Sequence, residues 1–267
     1  MADHYNYYPL KHFADIVAKC MELPLPKQYS VAPAWIPRLL KERLGGAADR
    51  AVLYHEDALG MYIWQKNPDL FAPVHRHTSL TLPYLSTVES VTPVAHASMY
   101  TGMDPEGHGI MTYTRPQLEC DTLFDQLIAA GKKVAIVCCA GDTFDHIFRG
   151  RALDYFPIKG GTVYIQEKVL ELIALDKYDV ISIHTCGYDN AAHAYGPESK
   201  EALNATSLET ETFEAIARAL EAQYKGKHRT LLTFSPDHGQ HEVDGEKGKH
   251  GSKMIEDMNI LHFFGTI

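Results

Sequence analysis

Two stretches of this sequence concentrate the residue types that bind cations. In YDNAAHAYGP, Asp189 and His193 stand four residues apart. On a helical turn that spacing puts both side chains on one face, where one ion can be chelated. A surface Asp–His pair has the same spacing, so the segment alone decides nothing. The second stretch, SPDHGQHEVDGEKGKHGS, packs Asp237, His238, His241 and His250 into a Gly-rich segment after an apolar run. A loop lets donors converge from several directions, although a polar surface loop has the same composition. The third candidate is a hydroxyl. Thr92 directly precedes Pro93 in ESVTPVAHASMYTG, and this pair predicts a helix start with Thr92 able to sit at the N-cap. There its oxygen would face the positive end of the helix dipole and free backbone N–H groups, a seat for phosphate. A nearby metal ion would make it a nucleophile at neutral pH. Ser90 lies two residues further out and lacks that support. His108, in GMDPEGHGI, sits among glycines that point to a turn and reads as structural.

The elements that must position these residues alternate. AVLYH (51–55), KKVAIVCC (132–139), YDVISIHT (178–185) and RTLLTFS (229–235) read as strands, with helical patterns near 121–130, 162–174 and 197–224. This predicts an α/β fold, a mostly parallel sheet sandwiched between helices. Asp57 follows the first run, Asp189 and His193 the third, Asp237 and His238 the fourth. In open α/β sheets, ligands sit outside the carboxyl ends of the strands. Three acidic clusters at one edge would repel strongly unless cations occupy it, which is the physical ground for expecting metal ions. Residues 1–47 hold two amphipathic segments, 9–21 and 34–43, joined by the Pro-rich LPLPKQYSVAP. They are expected to pack as a helical extension on a single catalytic domain spanning 1–267.

Composition narrows the partners. The net charge is −9 and no basic run is present, which argues against a nucleic-acid polymer. An acidic chain can still act on phosphates where metal ions supply positive charge locally. The N-terminal stretch lacks a signal-peptide pattern and no apolar run is long enough to cross a bilayer. Cysteines 20, 120, 138, 139 and 186 form no CxxC pair, and their odd number argues against a disulfide framework. Cys138 and Cys139 are expected to be buried thiols. A cytoplasmic protein with no membrane partner is expected. GxxxxGK[ST], HExxH and GxSxG motifs are absent.

In order, VLYHEDALG, TPVAHASMYTGMDPEGHGI, DNAAHAYGP, SPDHG and KHGS resemble the motifs of the alkaline phosphatase superfamily. The resemblance is greatest to its nucleotide pyrophosphatase/phosphodiesterase branch and runs from about residue 50 to the C-terminus. It implies two divalent metal ions. Asp189, His193 and His250 would hold one; Asp57, Asp237 and His238 would hold the other, which also contacts the Thr92 oxygen. The ions would be zinc, with manganese as the alternative, since a nitrogen and oxygen donor set fits both. The implied activity is metal-dependent hydrolysis of a small-molecule phosphodiester or monoester. Thr92 would attack phosphorus, and water would release the covalent intermediate. Hydrolysis of a phosphonate C–P bond is an alternative, and a catalytically impaired metal-binding module another. The sequence departs from the branch at two places. HGIMTYTRP puts Tyr113 where an asparagine usually holds a phosphoryl oxygen; its hydroxyl could donate instead. HEDALG differs from the usual surroundings of the first aspartate and leaves Glu56 as a second candidate beside Asp57. A sulfatase CxPxR motif is absent, and the intervals between Thr92, Asp189 and Asp237 leave little room for the inserted cap of the mutases.

Overall fold

Apolar, β-branched segments build the centre of the molecule. The structure is a computed structural model that describes residues 4–24, 26–244 and 247–267. Its strands are β1 (Tyr8–Pro9), β2 (Arg50–Glu56), β3 (Leu80–Leu85), β4 (Val134–Cys139), β5 (Asp154–Ile158), β6 (Val180–Thr185), β7 (Thr230–Phe234), β8 (His241–Val243), β9 (Lys247–Lys249) and β10 (Asn259–Thr266). Eight form one sheet in the order β1-β3-β10-β7-β2-β6-β4-β5, and β8 and β9 form a separate hairpin. Strands β7, β2, β6, β4 and β5 run parallel, while β10 is antiparallel to both β7 and β3. The architecture is the α/β fold read from the sequence, with one reversed strand.

Helices cover both faces, which is why β6 is buried along its whole length and β2 along nearly all of it. On one face His12–Cys20, Trp35–Leu44, Thr92–Thr101, Leu123–Ala129 and Thr143–Phe148 enclose one apolar core. On the other, Met61–Lys66, Ala72–His77, Thr162–Leu175 and Lys200–Tyr224 enclose a second. The N-terminal segment is woven in more deeply than a surface layer. Tyr8–Pro9 extend the sheet beside β3, and Phe13, Ile16 and Val17 are completely buried.

Two strands with an open flank carry a proline that masks them in the sequence. Pro83 lies inside β3 and Pro157 inside β5. Proline cannot donate to a ladder and is confined to edges. β1 covers only Tyr84 and Leu85 of β3, so Pro83 faces an open flank, and β5 is the last strand of the sheet.

Candidate active site

Asp57, Thr92, Asp189, His193, Asp237, His238 and His250 gather at the carboxyl ends of β2, β6 and β7. Asp57 is the first residue past β2, and its N–H donates to Thr185 O at 3.0 Å. The side chain of Glu56 turns to the opposite face, where it accepts from the Thr185 hydroxyl and from Tyr188 N–H. Alternation along the strand therefore brings Asp57 to the site and leaves Glu56 behind. Beyond β6, the helix Gly187–Tyr195 presents Asp189 and His193 on adjacent turns, as their spacing predicts. Gly187 at its start leaves room for the Glu209 carboxylate, which a Cβ would displace. Beyond β7, Asp237 and His238 are completely buried. Gly239 follows because a Cβ would run into the Glu256 carbonyl and within 2.8 Å of Gly60 Cα. The segment after it is a hairpin rather than a plain loop, and His250 follows β9.

The histidines have defined proton positions. His193 Nδ1 lies 2.9 Å from Gly248 O, His238 Nδ1 3.0 Å from Gly239 O, and His250 Nδ1 3.2 Å from Ser90 O. A carbonyl only accepts, so each Nδ1 carries the proton and each Nε2 of a neutral ring presents a lone pair. His193 Nε2 and His250 Nε2 are 3.1 Å apart, and lie 3.2 Å and 3.6 Å from Asp189 Oδ1. Two lone pairs and a carboxylate oxygen face one point. A cation there satisfies all three.

The second group is arranged alike. Asp237 Oδ1 accepts from Ala58 N–H at 3.1 Å and His238 N–H at 2.9 Å. Its Oδ2 is buried, has no hydrogen-bond partner among the described residues, and lies 3.4 Å from His238 Nε2. His238 Nε2 is also 3.4 Å from Asp57 Oδ1. Within each group, Asp189/His193/His250 and Asp57/Asp237/His238, the donor atoms lie within 4.8 Å of one another. Burial, and then the charges of Asp237 and Asp189, push the Asp57 carboxyl well above its ordinary range. Burial, and then His238, push His250 down to about 3. Without an ion, a proton on His193 Nε2 takes the cation's place: the protonated ring donates to Asp189 and holds its carboxyl low despite burial. Carboxylates and imidazoles at this density fit divalent ions with oxygen and nitrogen ligands, and the Nδ1–carbonyl bonds are the outer contacts that orient metal-binding histidines.

Thr92 Oγ1 lies 3.3 Å and 3.4 Å from the two Asp57 oxygens and 3.3 Å from His238 Nε2. It is the first residue of the helix Thr92–Thr101; the N-cap is the extended Val91, not Thr92, and no side chain caps the helix. The chain enters the helix one residue before the position that a Thr-Pro pair suggests, with Pro93 still in the first turn. The hydroxyl is thereby free of a capping bond and faces the aspartates. Ser90 is occupied elsewhere: it donates to Ser252 O at 2.9 Å and accepts from Gly251 N–H at 3.2 Å. His241 bonds Asp257 at 2.7 Å, and buried His108 bonds Ser98 Oγ at 2.9 Å, so neither joins the site. Tyr113 is half exposed on the wall of a cavity of about 560 Å³ that also reaches Thr92, Asp189 and His250.

Several neighbours were not singled out in the sequence. Arg115 lines the same cavity, with its guanidinium 5.5 Å from the Tyr113 ring centre. Gln240 donates to Asp189 at 2.6 Å. His96, one turn after Thr92, places Nε2 3.5 Å from Asp237 Oδ2; the i, i+4 spacing was its only signal. His184 donates from Nδ1 to Asp142 at 2.8 Å, and its Nε2 points at Asp57 from 3.7 Å. Inside the apolar strand VISIHT it carries no mark distinguishing it from a core histidine.

No family model and no curated protein matches the chain. Solved structures do. An inactive murine ectonucleotide pyrophosphatase/phosphodiesterase 5 in complex with AMP superposes with TM-score 0.61 at 15% identity, over 74% of this chain and 58% of that one. Phosphonoacetate hydrolase from Sinorhizobium meliloti in complex with phosphonoformate gives 0.55 at 17%, over 74% and 59%. The C-terminal periplasmic domain of EptC from Escherichia coli in complex with zinc gives 0.55 at 13%, over 81% and 72%. These are members of the alkaline phosphatase superfamily, and the fold implied by the motif order is the fold observed. At such identities the likeness shows the fold. The chain spans less than two thirds of the first two proteins.

Proposed function

We propose that this chain is a metal-dependent phosphohydrolase that cleaves a small-molecule phosphodiester or monoester with Thr92 as nucleophile. The observation that carries this reading is the position of Thr92 Oγ1. It stands uncapped at the start of a ten-residue helix, 3.3 Å from both Asp57 and His238, at the edge of the cavity that contains Asp189, His193 and His250. Phosphate at a helix N-terminus meets backbone N–H groups and the positive end of the dipole.

Asp189, His193 and His250 would hold one ion and Asp57, Asp237 and His238 the other, zinc or manganese, within one catalytic domain. When bound, such ions offset the charge of the aspartates and stabilise the oxygens that enter and leave phosphorus. The rest falls to the chain. Asp57 and His238 hold the Thr92 hydroxyl toward the cavity. The Thr92 oxygen attacks phosphorus as its proton passes to solvent water, and the ester P–O bond breaks as the leaving oxygen takes a proton from water. Water then attacks the phosphothreonine, the P–Oγ1 bond breaks, and Thr92 regains its proton. Tyr113 and Arg115 border the cavity where a hydroxyl and a guanidinium can bind phosphoryl oxygens.

The test is turnover of an aryl phosphate, an aryl phosphodiester and a phosphonate, with zinc or manganese added singly to chelated protein. Hydrolysis of either ester, lost at least 10³-fold in Thr92→Ala on the scale of catalytic nucleophiles, is expected, with phosphate trapped on Thr92. Cleavage of the phosphonate alone would move the assignment to a C–P hydrolase. No turnover with any metal, or a fully active Thr92→Ala, would refute the reading.

A further inference from the structure

Next to Asp57 the cavity wall carries donors that this reading does not use. Cys139 ends β4, Asp142 caps the helix Thr143–Phe148, and Cys186 follows β6. β4 and β6 are neighbours, with Cys138 opposite His184, so the chain leaves both strands side by side. The two sulfurs and an Asp142 oxygen all lie within 4.8 Å of one another. Cys186 Sγ is 3.9 Å from Asp142 Oδ2 and 3.8 Å from His184 Nδ1. Both cysteines are free thiols, and both border the cavity.

Donors this close need only a small inward movement to become a first coordination shell. With Zn–S near 2.3 Å and Zn–O near 2.0–2.2 Å, tetrahedral donors stand about 3.5–3.8 Å apart. Asp142 is also held in place. Its Oδ1 accepts from Asp145 N–H at 2.7 Å and its Oδ2 from His184 Nδ1–H at 2.8 Å, with lone pairs remaining on both oxygens. A carboxylate fixed by outer hydrogen bonds is the usual setting of a metal ligand.

We propose that Cys139, Cys186 and Asp142 form a third metal site, open to the cavity on its fourth side, for zinc or another thiophilic divalent ion. On binding, the two S–H protons go to solvent and two metal–sulfur bonds form. Thiolate donors select against manganese, whereas the oxygen and nitrogen groups around Thr92 do not. The third site therefore fills with zinc and stays empty with manganese.

The experiment uses the full reduced chain titrated with cobalt(II), zinc or manganese. Cobalt should produce the near-ultraviolet charge-transfer absorption that only thiolate ligands give. Zinc-saturated protein should contain one ion more per chain than manganese-saturated protein. Zinc, but not manganese, should protect two thiols from alkylation. Cys139→Ser/Cys186→Ser should lose the band and that ion while keeping the remaining ions, which also shows that it folds. No band in the wild-type chain, a band that survives in the double variant, or equal zinc and manganese counts would overturn the proposal. The groups around Thr92 contain no sulfur, so the band is independent of any hydrolysis. A band without turnover leaves this site standing and removes the phosphohydrolase reading; turnover without a band does the reverse.

Discussion

A histidine's second nitrogen decides what its first can do. His193, His238 and His250 each spend Nδ1–H on a backbone carbonyl, so each turns a lone pair toward an aspartate. His241 spends Nδ1 on Asp257, which also accepts from Ser252 N–H and hydroxyl, and so secures the turn after His250. The two histidines of this one segment therefore differ in kind. Replacing His250 with Ala should weaken the binding of one ion per chain by more than about 10–100-fold, the cost of losing only an outer partner of a ligand. His241→Ala should keep both ions of the Thr92 groups and lower stability by about 1.5–3 kcal/mol for the lost hydrogen bond to a buried carboxylate. Metal counting by mass spectrometry separates the cases. An ion lost from His241→Ala and kept by His250→Ala reverses the assignment.

At the scale of elements, the helix Thr92–Thr101 is pinned by the turn that follows it. His108 accepts Ile110 N–H at Nδ1 and donates Nε2–H to Ser98, which requires a neutral ring. Burial lowers its pKa from 6.5 to about 4, against the weaker pull of Asp104 and Glu106. Between these values the unfolded chain binds a proton that the folded chain refuses. This contribution to stability is complete above pH 6.5 and is lost as pH falls toward 4, up to about 3 kcal/mol. In metal-free protein, His108→Asn should flatten the fall in denaturation midpoint across that range; an unchanged slope means that His108 is not the proton acceptor. Part of this architecture is legible in the sequence. The strands ending at Glu56, Cys139, Thr185 and Phe234 are long apolar runs because both faces are covered, and the burial that makes them legible also aligns Asp57, Asp189 and Asp237 at one edge. β3 and β5 were hidden by their prolines, and β10 by being the one reversed strand, reached through a four-residue helix instead of a long crossover helix. The Cys139–Cys186 proximity was illegible for another reason: it depends on the register of β4 against β6, which periodicity does not specify.

For the whole molecule, the site is a stability deficit that bound ions would convert into a gain. Asp57 and Asp237 are buried close together with His96, His184 and His238, and without cations the fold must protonate a carboxyl or endure repulsion. Binding to the folded state alone stabilises by about 2.7 kcal/mol per ion at a concentration 100 times Kd. Asp57→Asn should therefore change sign with conditions. In chelator the variant should be more stable than wild type by about 1–2 kcal/mol, because one buried charge is gone and the amide oxygen still accepts from Thr92. In saturating zinc the order should invert, since the variant loses a carboxylate ligand and with it most of the gain from that ion. Urea denaturation of both proteins with and without metal checks this. An Asn variant that is less stable in chelator, or that gains as much from zinc as wild type, would show that Asp57 faces no cation and that its burial is supported by the fold alone.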